Sequence, residues 1–130
     1  MSNSEETSTQ FINRAFSYFN REKNTRLNGL YSRPFFIIVG KTTKLFGGYG
    51  DVINFDQIKK EGWVSTQINR IKLIYEENQS ALISVGFSRM NASGIEYSTT
   101  LGHYLLIRND SLWQPKGAFF LDGLSLGEEK

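Results

Sequence analysis

The second half of the sequence is divided into four segments rich in β-branched and aromatic residues, separated by short connections. Each connection is three or four residues long and contains turn-prone residues such as Asn, Asp, Ser and Gly. Strands joined by so few residues lie antiparallel, because a parallel neighbour needs a crossover of about a dozen residues or more. The segments predict four strands, at Ser65–Glu76, Ser80–Met90, Ile95–Arg108 and Leu112–Asp122.

The first half of the chain predicts helices around a single strand. Apolar residues recur at helical spacing over Glu5–Phe19, which predicts an amphipathic helix with Ser4 as its N-cap. A short second helix is predicted at Thr25–Leu30. Because Pro34 blocks further helix, the apolar run Phe35–Val39 predicts a strand buried on both faces.

A glycine-rich segment, Lys41–Gly50, predicts a turn between this strand and a third helix. The third helix is predicted to follow Asp51 as its N-cap and to stop at Gly62, because glycine tolerates the positive φ common after a helix. Helices followed by antiparallel strands predict an α+β fold, with a curved antiparallel sheet wrapped around the N-terminal helices.

Gly86, Gly102 and Pro115 lie inside predicted strands, where glycine and proline are uncommon. Glycine has no side chain to pack, so the two glycines predict sharp bending of the sheet. Proline lacks an N–H, so Pro115 predicts a strand edge or a bulge.

The length of the chain is that of one domain. Of its 130 residues, an ordered core is expected over about 5–122, with tails at 1–4 and 123–130. Hydrophobic residues make up 39% of the sequence and aromatic residues 14%. That content supports a core and leaves aromatic side chains to line a cavity.

The charge pattern argues against a nucleic-acid or membrane partner. The formal net charge is +2 and basic residues alternate with acids, whereas a nucleic-acid-binding face concentrates its Lys and Arg. The longest apolar run, Phe35–Val39, is far shorter than the roughly 20 residues that cross a bilayer. There is no cysteine, and the polar N-terminal segment lacks the features of a signal peptide, so a cytoplasmic location is expected. No pattern in the sequence indicates a cofactor.

The element order and a few residue pairs resemble the nuclear transport factor 2-like superfamily. The likeness covers about residues 11–122 and includes the pair Gly62-Trp63 and the spacing of Tyr104 and Trp113. Within that superfamily, the chain resembles the SnoaL-like and ketosteroid-isomerase-like small proteins of uncharacterised function. The resemblance implies a cystatin-like α+β cone with an apolar pocket at one end, and a homodimer often formed through sheet faces.

The resemblance also allows a residue-by-residue test for isomerase chemistry. Where ketosteroid isomerases have a base Asp before a proline, this chain has Arg33, which stays protonated and cannot accept a proton. Where they have a protonated acid before a histidine, this chain has Gly102, and Tyr18 is a loose counterpart of their catalytic tyrosine. Chemistry of that type is therefore not expected.

His103 and Asp122 are weak candidates for a catalytic role. His103 is the single histidine of the sequence, and an imidazole can act as a base near neutral pH. Period two places it with Leu101, Leu105 and Ile107 on a mostly aliphatic face, which favours a packing or interface role. Asp122 ends the last predicted strand, either near the open end of the cone or in the turn that begins the tail. No metal site is expected, because neither a cysteine nor a second histidine is present.

A ligand pocket is predicted on the opposite face of these strands. Tyr104 would offer a phenol to a ligand oxygen, and Arg89 would hold a carboxylate through two parallel hydrogen bonds. The alternatives are a tyrosine satisfied by the backbone and an arginine at the solvated end of a hairpin. The predicted pocket residues are Tyr18, Trp63, Val85, Phe87, Arg89, Tyr104 and Phe120.

Three functions are compatible with these features. The first is a module that binds a small hydrophobic or aromatic molecule. The second is an isomerase, cyclase or dehydratase acting on a hydrophobic ring compound, since the superfamily hosts such enzymes and a fold does not fix a function. The third is a structural homodimer whose pocket is filled by its own phenylalanines.

Overall fold

The computed structural model describes residues 6–22, 35–46, 53–110, 112–121 and 124. The helix predicted at Thr25–Leu30 lies outside these residues, as do Ser4, Arg33, Asp51 and Asp122. In the described part, the helices are α1 (Ser8–Asn20) and α2 (Phe55–Lys60), and the strands are β1 (Phe35–Val39), β2 (Thr42–Phe46), β3 (Ser65–Glu76), β4 (Ser80–Met90), β5 (Glu96–Asn109) and β6 (Leu112–Phe120). Neither of these helices is long and apolar enough to cross a membrane.

The strands form one six-stranded sheet in the order β2-β1-β6-β5-β4-β3. The prediction of antiparallel neighbours from β3 to β6 is confirmed, and the predicted bounds of β3 and β4 match the observed ones. The sheet is not antiparallel throughout, because β1 pairs with β6 in parallel. The predicted α+β class is confirmed, with a mostly antiparallel sheet.

The prediction of a turn over Lys41–Gly50 is wrong in its first half. Gly40 adopts a positive φ of 58°, and the chain reverses there into β2, which pairs antiparallel with β1. β2 is an edge strand. At the end of the hairpin away from Gly40, Phe35 of β1 stacks on Phe46 of β2, with ring centroids 5.7 Å apart. The strand at Phe35–Val39 is confirmed, but one face alone is fully buried, through Phe35 and Ile37.

Helix α1 begins three residues later than its predicted cap implies. Its N-cap is Thr7, whose side chain accepts from the Gln10 backbone while the Gln10 side chain accepts from the Thr7 backbone N–H. This reciprocal capping box fixes the start of the helix. The helix buries Phe11, Ile12 and Ala15 and packs against β3 and β4.

Helix α2 is shorter than predicted and has a different cap. Asn54 is its N-cap and accepts a 3.1 Å hydrogen bond from the Gln57 backbone, so the cap lies three positions after the one predicted at Asp51. The predicted stop at Gly62 is confirmed, because Gly62 has a φ of 111°, in the region that favours glycine.

The sheet has two distinct faces, which the alternation of burial along β4 and β5 defines. The inner face packs toward α1 and includes Ile83, Val85 and Phe87 on β4 with Tyr104 on β5, all of them buried. The outer face carries the intervening residues, among them His103. The alternation of side chains along a strand, with its period of two residues, therefore assigns these residues to the correct faces.

The pairing of the strands shifts register at several places. One shift falls between Ile68 and Arg70 on β3, opposite Gly86, and another falls between Pro115 and Gly117 on β6. The bulge predicted at Pro115 is thus confirmed. No register shift falls at Gly102. Glycine is required at this position because a Cβ would lie 2.7 Å from the ring of Phe120.

Candidate functional site

An apolar cavity of about 80 Å³ lies between α1 and the inner face of the sheet. Its walls are mostly apolar, and the polar side chains among the described lining residues are Thr66, Arg89 and Tyr104. The described lining residues are Phe11, Ile12, Ala15, Phe16, Phe19, Phe35, Ile37, Ile53, Thr66, Phe87, Arg89, Tyr104, Pro115, Gly117, Ala118, Phe120 and Leu124. The cavity is smaller than the roughly 300–1,000 Å³ of most ligand pockets.

Four aromatic rings occupy much of the space around this cavity. Phe16 on α1 meets Phe87 edge-on at 5.5 Å and Tyr104 at 6.1 Å between ring centroids. Phe120 on β6 meets the same two rings at 6.2 and 5.6 Å. Phe16 and Phe120 are each partly exposed, whereas Phe87 and Tyr104 are buried.

Arg89 brings a cation into the cavity wall. Its side chain is 4% exposed, so it does not extend into solvent at the end of the hairpin. Arg89 lies close to the phenol of Tyr97. Burial raises the pKa of Tyr97, and the nearby Glu61 carboxylate acts in the same direction while Arg89 opposes it. The phenol therefore stays neutral at physiological pH.

Thr66 lies beside Arg89, its register partner on β3. The side chain of Asn20, at the end of α1, accepts from the Thr66 backbone N–H at 2.7 Å and donates to its carbonyl at 2.9 Å. The Thr66 hydroxyl accepts a 2.9 Å hydrogen bond from the indole N–H of Trp63. These bonds fix the end of α1 against the wall that carries Arg89.

Four of the seven predicted pocket residues line the cavity: Phe87, Arg89, Tyr104 and Phe120. Trp63 packs against Phe19 and Phe55, and Val85 is buried in the core. Neither is among the described residues that line the cavity. Whether any of the four contacts a ligand stays a prediction.

Tyr18 lies beside Arg14 on α1 and is not among the described lining residues. The Arg14 guanidinium lies 5.7 Å from the centre of the Tyr18 ring and forms a 2.8 Å ion pair with Glu6. The hydrogen bonds to Glu6 raise the pKa of Arg14 above its ordinary value. Tyr18 thus packs at the edge of the core beside the Arg14–Glu6 ion pair.

His103 faces away from the cavity. Its Nδ1 lies 2.5 Å from the hydroxyl of Ser84, its register partner on the outer face of β4. The other weak candidate, Asp122, lies outside the described residues. His103 therefore cannot act on a molecule in the cavity, which agrees with the packing or interface role favoured above.

Sequence reasoning missed several lining residues, notably Phe16, Ala118 and Thr66. Phe16 could have been found, because it falls on the apolar stripe of α1. Ala118 and Thr66 carry no local signal, since their positions depend on how β1, β3 and β6 pair.

Gly102, which the resemblance matches to the isomerase acid, lies on the inner face beneath the ring of Phe120. No Asp or Glu is found among the lining residues that the structure describes. Over the same ranges, no three His, Asp or Glu side chains group closely enough to hold a metal ion.

No protein-family model matches the sequence, and neither does any curated protein. Solved structures do. An NTF2-like protein with a cystatin-like fold from Novosphingobium aromaticivorans has a TM-score of 0.67 at 14% identity, over 89% of this chain and 80% of that one. A domain of unknown function from Nostoc punctiforme, also with a cystatin-like fold, has a TM-score of 0.64 at 18% identity, over 97% and 82%.

A ketosteroid isomerase-like protein from Erwinia carotovora atroseptica has a TM-score of 0.61 at 14% identity, over 95% of this chain and all of that one. At identities this low, the likeness concerns the backbone and not the chemistry of the site. The chain therefore has the nuclear transport factor 2-like, cystatin-like fold that its sequence resembles.

Proposed function

We propose that the protein binds a small hydrophobic or aromatic molecule in the cavity between α1 and the sheet. The cavity itself carries this proposal, because it is an apolar void of about 80 Å³ in an otherwise packed core. At about 24 cal/mol per Å³, a void of this size destabilises the fold by on the order of 2 kcal/mol. A larger side chain in place of Ala118, which lines the void, would remove that cost, so the retained space favours a function for it.

The size of the cavity limits the ligand to about one ring. An apolar cavity of about 150 Å³ is known to accept benzene, so a void of 80 Å³ needs some enlargement to do the same. Phe16 and Phe120, the partly exposed members of the aromatic cluster, are the side chains whose rotation would provide it.

Benzene is a suitable first probe, followed by methyl chemical shifts in NMR. Binding should shift the methyl signals of Ile12, Ile37 and Ile53, which line the cavity, and should raise the melting temperature. Ala118→Leu should abolish these shifts without lowering stability, because the new side chain occupies the void. Ala15→Val tests the same point from α1 if the first variant packs badly.

Leu112→Ala is the control for these variants, since Leu112 is 64% exposed on the same strand as Ala118. It should leave benzene binding unchanged. Benzene shifts that persist in both cavity-filling variants would place the binding site elsewhere and contradict the proposal.

A structural role is the second candidate, and the small volume of the cavity favours it. Under this alternative the aromatic rings do not rotate away from the cavity, and no ligand enters it. Xenon separates the two cases, because it enters small dry cavities without any ring having to rotate. Xenon binding without benzene binding would support the structural role.

An isomerase, cyclase or dehydratase remains the third candidate. The ketosteroid isomerase-like protein with the same fold is its main support. Its weakness is that the described cavity wall offers Tyr104 and Arg89 as polar groups but no carboxylate to act as a base.

We also propose that the protein is a homodimer formed through the outer face of the sheet. This face has an apolar centre, called here the outer-face patch, and none of the described helices packs on it. The patch consists of Phe36, Ile38, Leu82, Leu101, Leu105, Ile107 and Phe119. A second copy fits it because a two-fold axis brings the same patch onto itself, and apolar area of this kind is rarely left open on a monomer.

A further inference from the structure

A second and more open space, called here the α1–β3 groove, lies beside the cavity. Its volume is about 410 Å³, against about 80 Å³ for the cavity. The groove follows the C-terminal half of α1 where this helix packs on β3. Its described lining residues are Asn13, Phe16, Ser17, Asn20 and Arg21 of α1 with Thr66 and Ile68 of β3.

Phe16 and Thr66 line both the groove and the cavity, so the two spaces meet at these residues. Thr66 is fixed in place, because its backbone bonds to the Asn20 side chain and its hydroxyl accepts from Trp63. Phe16 is half-buried and packs edge-on against Phe87. Its ring therefore forms the boundary between the groove and the cavity.

The groove is more polar than the cavity. The amide N–H of Asn13 donates to the Thr9 carbonyl at 3.2 Å, and its amide oxygen can accept a further hydrogen bond. Ser17 contributes a hydroxyl, and Arg21, which is exposed, contributes a guanidinium. Ile68 is half-buried against the core and gives the groove an apolar surface beside these groups. An apolar cavity that continues into a polar groove fits a molecule with an apolar end and a polar end.

We propose that the cavity and the α1–β3 groove form one site for a single-ring compound with a short hydrogen-bonding chain. The ring lies in the cavity, the chain passes Phe16, and the polar group lies in the groove beside Asn13 and Ser17. This inference rests on the proposed binding function and names the ligand class of that site.

Two physical arguments support this arrangement. The cavity alone is smaller than the roughly 300–1,000 Å³ of most ligand pockets, whereas the cavity and groove together fall within that range. A polar group buried in an apolar cavity loses its hydrogen bonds to water, which is costly. In the open groove the same group keeps bonds to water or exchanges them for bonds to polar side chains.

Phenylpropanol, with its hydroxyl at the end of the chain, and butylbenzene form a matched pair of probes. They have nearly the same shape and differ in a terminal hydroxyl against a methyl group. A wholly apolar site would prefer butylbenzene by about 10-fold or more, because it removes the hydroxyl from water. A chain that ends in the groove keeps its hydrogen bonds, so the two affinities should agree within about three-fold. Calorimetry or NMR titration measures both.

Nuclear Overhauser effects in NMR locate the two ends of bound phenylpropanol. Its ring protons should contact the methyl groups of Ile12 and Ile37, which line the cavity. The chain protons next to the hydroxyl should contact Ile68, which lines the groove. Both sets of contacts from one bound molecule would show that it crosses the boundary at Phe16.

Ser17→Trp should fill part of the groove, since Ser17 lines the groove and is not among the described residues that line the cavity. It should weaken the binding of phenylpropanol about 10-fold and leave the equilibrium affinity for benzene unchanged. Thr9→Trp is the matched control, because Thr9 is also a half-buried hydroxyl residue of α1 but is not among the described groove residues. Asn13→Trp, at an exposed position in the groove, tests the same point if Ser17→Trp does not fold.

The outcomes separate this inference from the function on which it rests. If benzene binds and Ala118→Leu abolishes its binding, but the chain of phenylpropanol does not contact Ile68, the groove is not part of the site while the binding function stands. Unchanged phenylpropanol affinity in the folded groove variants, or a preference for butylbenzene of 10-fold or more, contradicts the inference in the same way. If neither benzene nor either probe binds, both proposals fail.

Discussion

Two glycines show how closely aromatic rings approach the backbone of this sheet. Gly102 lies beneath the ring of Phe120 on the inner face, and Gly117 lies beneath the ring of Phe36 on the outer face. A Cβ at Gly117 would come within 2.2 Å of the Phe36 ring. Since no side chain fits there, both positions require glycine for space and not for backbone freedom.

Gly117→Ala should therefore destabilise the protein by about 1–3 kcal/mol, the usual cost of overpacking. Gly86→Ala is the control, because a Cβ at Gly86 would meet the Arg70 Cβ at 3.8 Å, an ordinary contact. Urea unfolding of both variants measures the difference. Phe36→Ala in the Gly117→Ala background should recover part of the loss, and equal stabilities of the two glycine variants would contradict the explanation.

The sequence predicted correctly which face of the sheet a side chain occupies where residues alternate along a regular strand. The alternation along β4 and β5 placed Phe87, Arg89 and Tyr104 on the inner face and His103 on the outer face, as the structure has them. It could not show that the Arg89 side chain is buried rather than solvated, because that depends on the elements packed over the end of the hairpin.

The ends of helices were predicted less well than the strands. Several residues near each helix start have cap-forming side chains, and the sequence does not say which of them the backbone uses. The capping box with Gln10 selects Thr7 for α1, and Asn54 caps α2. The reciprocal hydrogen bonds between Thr7 and Gln10 therefore determine where α1 begins. The sequence shows this signal as a Thr followed three residues later by a Gln.

Thr7→Ala removes the capping hydrogen bond to Gln10 and should cost about 1 kcal/mol of stability. Thr9→Ala is the matched control, because Thr9 lies inside the helix, where alanine is favoured. Thermal or urea unfolding of the two variants tests this. A loss as large for Thr9→Ala as for Thr7→Ala would show that the cap does not stabilise α1.

The pairing of β1 with β6 was beyond sequence reasoning. It joins residues about 80 positions apart, at Phe36 and Gly117, and it is parallel where short connections predicted antiparallel neighbours throughout. Nothing in a local hydrophobic pattern says which edge of a sheet a distant strand will join. The same pairing brings Ala118 and Ile37 side by side in the cavity wall, which is why the wall was only partly predicted.

At the scale of the whole molecule, the two faces of the sheet have different surroundings. The inner face is covered by α1 and encloses the cavity. The outer-face patch remains partly exposed, with Leu101 at 37% and Phe119 at 36%. This partly exposed patch is the surface through which we propose that a second copy packs.

The dimer proposal predicts that one charge at the centre of the patch separates the subunits. Leu101→Glu should convert a dimer into a monomer in analytical ultracentrifugation, because a dimer interface cannot bury an unpaired carboxylate without a large cost. Ile95→Glu should stay dimeric, since Ile95 is 60% exposed in the turn between β4 and β5. A wild-type protein that sediments as a monomer at high concentration would contradict the proposal.

The parallel junction between β1 and β6 also constrains the order in which the polypeptide can acquire its structure. Strands β3 to β6 are joined by short connections and can assemble from contacts between near neighbours in the chain. The β1–β2 hairpin can dock only on an edge that β6 supplies once it has formed. We therefore expect the β1–β2 hairpin to join the sheet only after β6 is in place, so that a ribosome-bound chain completes its sheet only once synthesis has passed Phe120.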